Sequence, residues 1–209
     1  MKKSFTSVRR QQNHDATVQA ILDTARAIMR EEGIAALSMQ ELARRMGMRA
    51  PSLYNYFSGK MELYDALFRL GFTLFDEHNR RLMETSTGWQ DELRLVIEGY
   101  MSFAMENPEL YQLCFERPVP GFVPSPESLE LSFGLLNRSY GRVEQLKNEV
   151  ETDLSSEQIV NLVIAIAHGI TAMHLANEPH LPIGQGRFGS LLPIVLSILE
   201  KVIPVQESE

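Results

Sequence analysis

Side chains that donate hydrogen bonds are concentrated in one short stretch of this 209-residue sequence. Arg49 and Lys60 bound the stretch, which also contains Ser, Asn and two Tyr residues. Cations, hydroxyls and amides of this kind bind phosphate oxygens, and Arg and Asn also pair with the edges of bases. The chemistry that these residues predict is recognition of a nucleic acid.

Arrangements typical of catalysis are missing from the sequence. The five histidines form no His-x-x-x-His or Glu-x-x-His pair, and His168 and His174 lie nearly opposite each other on a helix. The single cysteine, Cys114, excludes an intramolecular disulfide and a Cys-based zinc site. No nucleophile elbow or Gly-rich phosphate loop occurs. We therefore expect no catalytic residues, no metal and no cofactor, with an all-helical enzyme as a second interpretation.

Charge is distributed unevenly along the chain. Residues 1–70 contain eleven Lys and Arg against seven Asp and Glu, a net charge of +4, whereas the whole chain carries −7. A basic first third on an acidic remainder predicts that one end meets a polyanion. No apolar run follows the basic N-terminus, and polar residues interrupt the longest apolar stretch, Ile159 to Ala176. We expect a cytoplasmic protein that contacts no membrane.

Hydrophobic periodicity predicts an all-α fold of about nine helices. Residues 1–14 are expected to form a flexible basic arm, followed by a helix from Ala16. Ser38 and Glu41 have the spacing of a capping box, which opens a short helix that ends at Gly47. Pro51 opens a second short helix through Phe57. Longer helices follow: one stops at Asn107-Pro108, one runs from about Glu127 to about Val150, and one opens with a second capping box at Ser155 and Gln158. A Pro-rich loop is expected over residues 117–126, and a kink at Pro193 in the last helix.

Two short helices joined at a glycine are typical of a helix-turn-helix. The positive φ that Gly47 permits sets the angle between the helices, while Ala43 allows them to approach closely. Five residues then face outward, where base edges can be read: Arg49, Ala50, Pro51, Ser52 and Asn55. Tyr54, Tyr56 and Lys60 flank them and are expected to reach phosphate oxygens.

The run from Leu42 to Leu63 closely resembles the DNA-binding domain of the TetR (tetracycline-repressor-like) transcriptional regulators. It contains the pattern of a helix with Ala43, the Gly47 turn, the motif Leu53-Tyr54-Asn55-Tyr56-Phe57, and then Lys60. The resemblance implies a DNA-binding domain over residues 15–75, with the helix-turn-helix at about 38–57. It also implies that Arg49 to Asn55 read bases and that Ser38 joins Tyr54, Tyr56 and Lys60 in holding phosphates. Family members are generally homodimeric repressors that leave a double-stranded DNA operator when a small molecule binds.

Residues 76–209 are expected to form the effector-binding and dimerisation domain. Aromatic side chains there predict a pocket for a small hydrophobic effector. The predicted lining residues are Tyr100, Phe103, Tyr111, Phe115, Phe133, Tyr140 and His168. The His168-Gly169 pair resembles the His-Gly (WHG-like) subtype of the family, although Ala167 stands where a bulky residue is usual. Alternatively these side chains only build the core, and a protein partner controls the regulator.

The last two helices carry more apolar surface than one chain needs. Two such hairpins from two chains would form a four-helix bundle about a two-fold axis, and the operator would then be an approximate palindrome. The switching hypothesis is that effector binding reorients the fourth helix. The predicted interface residues are Ile159, Val163, Ile166, Ile170, Leu191, Val195, Ile198 and Leu199.

Overall fold

The computed structural model describes residues 5–204, except for the side chains of residues 5, 6 and 148. Within this range the chain is helical and contains no β-strand, which confirms the predicted all-α class. The α-helices are α1 (Phe5–Glu32), α2 (Met39–Arg45), α3 (Ala50–Leu53), α4 (Lys60–Met83), α5 (Trp89–Glu106), α6 (Pro108–Tyr111), α7 (Pro126–Leu146), α8 (Ser156–Asn177), α9 (Gly186–Gly189) and α10 (Leu192–Val202). Short 3-10 turns occur at Ile34–Ala36 and Lys147–Glu149, and a π turn at Gln112–Glu116.

The chain divides into two compact units whose boundary differs from the expected one at residue 75. The N-terminal unit comprises Met1–Gly71 together with Pro108–Ser128, and the C-terminal unit comprises Phe72–Asn107 and Leu129–Glu209. Pro108–Ser128 is called the inserted segment below, and an ion-pair cluster joins it to α1. The fully buried Glu109 carboxylate accepts hydrogen bonds from Arg26 and Arg30, each at 2.8 Å. A buried carboxylate needs such partners, and here they lie about eighty residues earlier in the chain.

The Pro-rich loop is irregular, as predicted, and is fixed within the N-terminal unit. The Phe122 ring lies 5.8 Å from that of Tyr64 and 6.2 Å from that of Phe68. Ser125 donates to the Asp65 carboxylate from its backbone N–H at 2.8 Å and from its hydroxyl at 2.9 Å. Burial raises the pKa of Asp65, but the hydrogen bonds from Ser125 and Ser128 outweigh it and leave the pKa below its usual value.

The prediction of a flexible arm over residues 1–14 is wrong for the part of it that the structure describes. Residues 1–4 lie outside the described range, and α1 is already helical from Phe5. Nothing in this segment breaks a helix, because it lacks Gly and Pro. Hydrogen bonds four residues apart add support, from Gln11 to Asp15 and from Thr17 to the carbonyl of Asn13.

Three other helix ends differ from their predicted positions. The second short helix closes at Leu53 and continues only as a turn to Phe57. The helix predicted to reach Val150 ends at Leu146, before a 3-10 turn. The last helix is divided into α9 and α10 because Pro193 lacks the N–H that a continuous helix would need there.

Candidate functional site

The helix-turn-helix is built as the sequence predicts. Ser38 caps α2 by accepting a hydrogen bond from the Glu41 backbone N–H at 3.1 Å. Gly47 has φ of +62°, which directs the chain out of α2. The Met48 N–H then donates to the Ala43 carbonyl at 2.9 Å, and the buried Leu42 and Leu53 hold the two helices together.

The residues predicted to meet DNA lie on the outer side of this pair. Arg49, Pro51, Tyr54 and Asn55 are exposed, and Tyr54 exposes 54% of its surface. Ala50, Ser52 and Tyr56 are half-buried. Arg49 forms no ion pair with any residue between 5 and 204, so its guanidinium is available to a ligand. The structure thus gathers these side chains on one accessible surface.

Lys60 and Ser38 are half-buried beside this surface. The Lys60 ammonium donates to the Ala35 carbonyl at 3.0 Å and lies 5.3 Å from the centre of the Tyr64 ring. The Tyr64 hydroxyl in turn donates to the Ile34 carbonyl at 2.6 Å, and burial raises its pKa to about 12. These bonds hold the first turn of α4 against the Ile34–Ala36 turn. An ammonium has three donors, so one bond leaves Lys60 able to reach a phosphate.

Two other basic residues of the helix-turn-helix are already neutralised. The Glu41 carboxylate accepts from Arg44 at 2.6 Å and from Arg45 at 2.8 Å, and Arg45 also pairs with Glu31 and Glu32. Hydrogen bonds from Arg44 and then Arg45 lower the pKa of Glu41 to about 2. The capping box predicted at Ser38 is therefore only half formed, because the guanidinium groups occupy the carboxylate that would return to the Ser38 N–H.

The C-terminal unit contains an aromatic cluster from α4, α5 and α8. The Tyr100 hydroxyl and His168 Nδ1 are 3.0 Å apart, which brings together two predicted lining residues that are 68 positions apart in the sequence. A second polar pair, His78 Nε2 and the Ser102 hydroxyl, is separated by 2.7 Å. Phe75 packs edge-on against Tyr100 and Phe103 at 5.7 and 5.1 Å. The aromatic cluster comprises Phe75, His78, Tyr100, Ser102, Phe103 and His168.

Sequence reasoning missed three members of the aromatic cluster, namely Phe75, His78 and Ser102. A histidine on the otherwise apolar face of the fourth helix is the signal that could have pointed to the cluster, because an imidazole that is partly removed from water needs a polar partner.

The other predicted lining residues lie elsewhere. Tyr111 and Phe115 belong to the N-terminal unit, where their rings are 5.7 Å apart. Phe133 on α7 is 57% exposed. The Tyr140 hydroxyl donates to the Asn161 side chain at 3.3 Å, and so links α7 to α8. The candidate effector site is therefore narrower than predicted and consists of Tyr100, Phe103 and His168 with their neighbours in the aromatic cluster.

A cleft of about 280 Å³ adjoins the aromatic cluster at Ser102. Leu82, Leu95 and Ile183 form its apolar walls, and Glu98 supplies a carboxylate. A larger open cleft of about 380 Å³ lies between residues 87–94 and α10, with Arg94 and Glu200 in its lining. Ligand pockets are usually about 300–1,000 Å³, so the first cleft has room only for a small molecule.

Four of the eight predicted interface residues do not lie on the surface of the chain. Ile159, Val163, Ile170 and Leu199 are buried within the chain's own core, where no partner can reach them. They were predicted because hydrophobic periodicity does not distinguish the two faces of a helix that is apolar all round. Ile166 and Val195 are half-buried, whereas Leu191 and Ile198 are exposed.

Further apolar residues are exposed on α8 and along α10. On α10 the exposed apolar face follows the spacing Leu191, Ile194, Ile198 and Val202, which are 38–57% exposed. On α8, Ile164 and Met173 are 40% and 46% exposed. Between them lies Gly169, where an added Cβ would meet no atom within 4 Å.

Length and composition would allow α8 to cross a membrane, and only 39% of its most apolar window is buried. No group of three or more His, Cys, Asp or Glu side chains within residues 5–204 is arranged to hold a metal ion.

Known proteins resemble this chain most clearly in its first third. The family described as "Bacterial regulatory proteins, tetR family" matches residues 21–67. The HTH-type transcriptional activator FasR of Mycolicibacterium smegmatis is 31% identical over 96 residues, which are 46% of this chain and 44% of that protein. The Transposon Tn10 TetC protein of Escherichia coli is 24% identical over 180 residues, 85% of this chain and 89% of that protein. Except for such longer matches, the chain spans about half the length of the curated relatives it matches.

Solved structures show the same fold over most of the chain. The transcriptional regulator FadR from Bacillus subtilis, in complex with stearoyl-CoA, matches with a TM-score of 0.67 and 19% identity. The match covers 86% of this chain and 95% of that one. The His-Gly subtype suggested by His168 and Gly169 stays a prediction.

Proposed function

We propose that this chain is a DNA-binding transcriptional regulator of the tetR family, whose model matches residues 21–67, and that it reads its operator through the surface around α3. The observation that carries the proposal is the row of exposed hydrogen-bond donors around α3. This helix follows α2, which Ser38 caps, and the turn at Gly47. Arg49 has no ion pair among the residues that the structure describes, whereas Arg44 and Arg45 are paired with carboxylates. We assign base reading to Arg49, Ser52 and Asn55, and phosphate binding to Tyr54, Tyr56 and Lys60.

Selection of binding sites from a random duplex library, followed by a salt titration of the selected duplex, tests this proposal. We expect a palindromic consensus bound at nanomolar level, because two recognition surfaces related by a two-fold axis meet half-sites about one helical turn apart. Arg49→Ala should relax the preference at one base position of each half-site. Lys60→Ala should weaken binding to all sequences and lower the salt slope by about 1 for each lost phosphate contact.

Arg80→Ala is the matched control for both variants, since Arg80 is an exposed cation near the end of α4 in the C-terminal unit. It should leave the consensus and the salt slope unchanged. Weak binding without a consensus would contradict the proposed function, and an unaltered preference profile would remove Arg49 from the readout.

We further propose that the aromatic cluster and its cleft receive a small apolar effector whose binding releases the DNA, so that the protein acts as a repressor. Tyr100 and His168 would orient a polar group of that effector, with Phe75 and Phe103 against its apolar part. A structural neighbour with a bound acyl-CoA supports an apolar ligand. Because coupling between two sites is reciprocal, DNA would weaken effector binding by the same factor.

Release of a labelled operator by stearoyl-CoA, and by decanoate as a smaller apolar acid, tests the effector site. Loss of one hydrogen bond, worth about 1 kcal/mol, should make Tyr100→Phe about fivefold less sensitive to whichever probe releases the DNA. Tyr140→Phe is the control, because that hydroxyl bonds to Asn161 away from the cluster. Equal sensitivity of the two variants would contradict the assignment. Release by neither probe would favour control by a protein partner.

Homodimerisation is part of the proposal and rests on the exposed apolar face of α8 and α10. Glycine inside a helix is about 1 kcal/mol less favourable than alanine. No atom of residues 5–204 lies close to a Cβ added at Gly169, so we infer that a second copy supplies the close neighbour that would explain a glycine there. Two copies of these helices would bury the face as a four-helix bundle.

A further inference from the structure

The first turns of α1 extend beyond the part of the helix that packs. Residues 7–16 are all exposed, and the first buried residues of α1 are Ile21 and Leu22. Val8, the only large apolar side chain among residues 7–16, is 43% exposed. Packing of an apolar face provides most of a helix's stability in a protein. Residues 7–16 have no such face, and residues 5–16 are called the α1 extension below.

Before Asp15 the α1 extension carries positive charge only, on Arg9 and Arg10. The sequence before Asp15 contains four Lys and Arg residues and no Asp or Glu. Arg9 and Arg10 are exposed and form no ion pair with any residue that the structure describes. The Asp15 carboxylate accepts from Gln11 at 2.8 Å and lies 3.6 Å from His14 Nδ1. The two guanidinium groups are therefore left to an anionic partner.

One contact joins the α1 extension to the proposed DNA surface. The His14 ring lies 5.1 Å from the Tyr56 ring, with 36° between their planes. Tyr56 directly follows α3 and is one of the residues that we assign to phosphate binding. The C-terminal end of the α1 extension, at His14, therefore lies beside the recognition surface.

Helical geometry separates the two arginines. At 3.6 residues per turn, Arg10 lies about 40° from His14 around the helix axis, whereas Arg9 lies about 140° away. We propose that the face of the α1 extension marked by Arg10 and His14 is a second phosphate-binding surface, which holds the DNA backbone flanking the sequence read by α3. This inference rests on the proposed function and adds a partner contact to it.

The length of the α1 extension sets how far the flanking contact reaches. From His14 back to Phe5 the helix rises about 14 Å at 1.5 Å per residue. Base pairs follow each other at about 3.4 Å, so the α1 extension covers up to about four base pairs outside each half-site.

Arg10→Ala and Arg9→Ala form a matched pair that tests the inference, because each removes one exposed guanidinium from the same helix. Alanine favours a helix at least as well as arginine, so both variants keep the α1 extension helical, which circular dichroism checks. Each is titrated with salt on the selected operator with natural-length flanks and on the same operator trimmed by four base pairs at each end.

On the flanked duplex we expect Arg10→Ala to lower the salt slope by about 2, one phosphate contact for each protomer of a dimer. Arg9→Ala should retain the wild-type slope, and the difference between the variants should disappear on the trimmed duplex. Equal slopes for the two variants on the flanked duplex would overturn the inference, and so would a difference that persists after trimming. In both cases specific binding by the wild type would leave the proposed function standing, whereas a wild type that selects no consensus would overturn both.

Discussion

Carboxylates decide which basic residues near the helix-turn-helix remain available to a phosphate. Arg44 and Arg45 share Glu41, and Arg45 is held by Glu31 and Glu32 as well. Arg49, a few residues further on, has no such partner within residues 5–204. The arginines that stabilise α2 are thus distinct from the arginine that we assign to base reading, although all three stand within six positions of one another.

The Glu41 ion pairs predict a pH dependence of stability. The pKa of Glu41 is about 2 in the folded protein against an ordinary value of 4.5. A lowered folded pKa contributes stability that is fully present above the unfolded pKa and is lost as the pH falls through the folded pKa. We therefore expect Glu41→Gln to lower the melting temperature at pH 7, and this difference from the wild type to shrink between about pH 4.5 and pH 2.

Glu130→Gln is the control for this measurement, because Glu130 is exposed and has no ion pair among the described residues. Its melting temperature should follow that of the wild type at every pH. A Glu41→Gln difference that stays constant across the acidic range would contradict a stabilising role for the ionised carboxylate.

Close packing of α4 on the inserted segment explains a glycine in the middle of that helix. A Cβ at Gly71 would lie 2.5 Å from the Cys114 sulfur and 3.5 Å from Leu110 Cβ. Cys114 is buried, and its Sγ lies 3.7 Å from the Phe68 carbonyl. Alanine normally stabilises a helix by about 1 kcal/mol over glycine, but overpacking costs about 1–3 kcal/mol. We expect Gly71→Ala to lower the free energy of unfolding by about 1 kcal/mol, measured by urea denaturation.

Cys114→Ala provides the compensating background for Gly71→Ala. Removal of the sulfur clears the space that the new methyl group needs, so Gly71→Ala should be neutral or stabilising in that background. A loss of equal size in both backgrounds would show that the Cys114 contact is not the cause. Gly141→Ala in α7, where an added Cβ would meet no atom within 4 Å, is the control for helix propensity alone.

The assembly of the whole molecule depends on the exposed face of α10. Ile198 is 52% exposed in the single chain and lies at the centre of that face. A carboxylate buried there against a second copy would be unpaired and strongly unfavourable. We expect wild-type protein at twice 23.7 kDa and Ile198→Glu at the single mass, by light scattering after size exclusion. Operator affinity should fall about tenfold or more, since a monomer meets only one half-site.

Val123→Glu is the matched control, since Val123 is 77% exposed in the N-terminal unit and lies far from α10 in the sequence. It places the same charge on an exposed apolar position and should leave the dimer and the operator affinity intact. A wild-type protein that is monomeric at micromolar concentration would exclude the proposed interface.

Local signals in the sequence determined most of the helices and the outward face of α3 that we propose reads DNA. The capping box at Ser155 and Gln158, the glycine turn at Gly47 and the break at Asn107-Pro108 all occur where they were predicted. Each depends on residues within a few positions of one another, so the backbone is decided by its immediate neighbours. For the same reason the outward side of α3 could be read from the spacing of its apolar residues.

Contacts between distant residues decided the rest. The pairing of Glu109 with Arg26 and Arg30 places residues 108–128 in the N-terminal unit, and that of Tyr100 with His168 creates the polar pair of the aromatic cluster. Helix α8, which packs against α5, contains the buried Ile159, whereas Ile198 on α10 is exposed. Periodicity shows that a helix has an apolar face, but only the neighbours that reach it through the folded chain determine whether that face is core or surface.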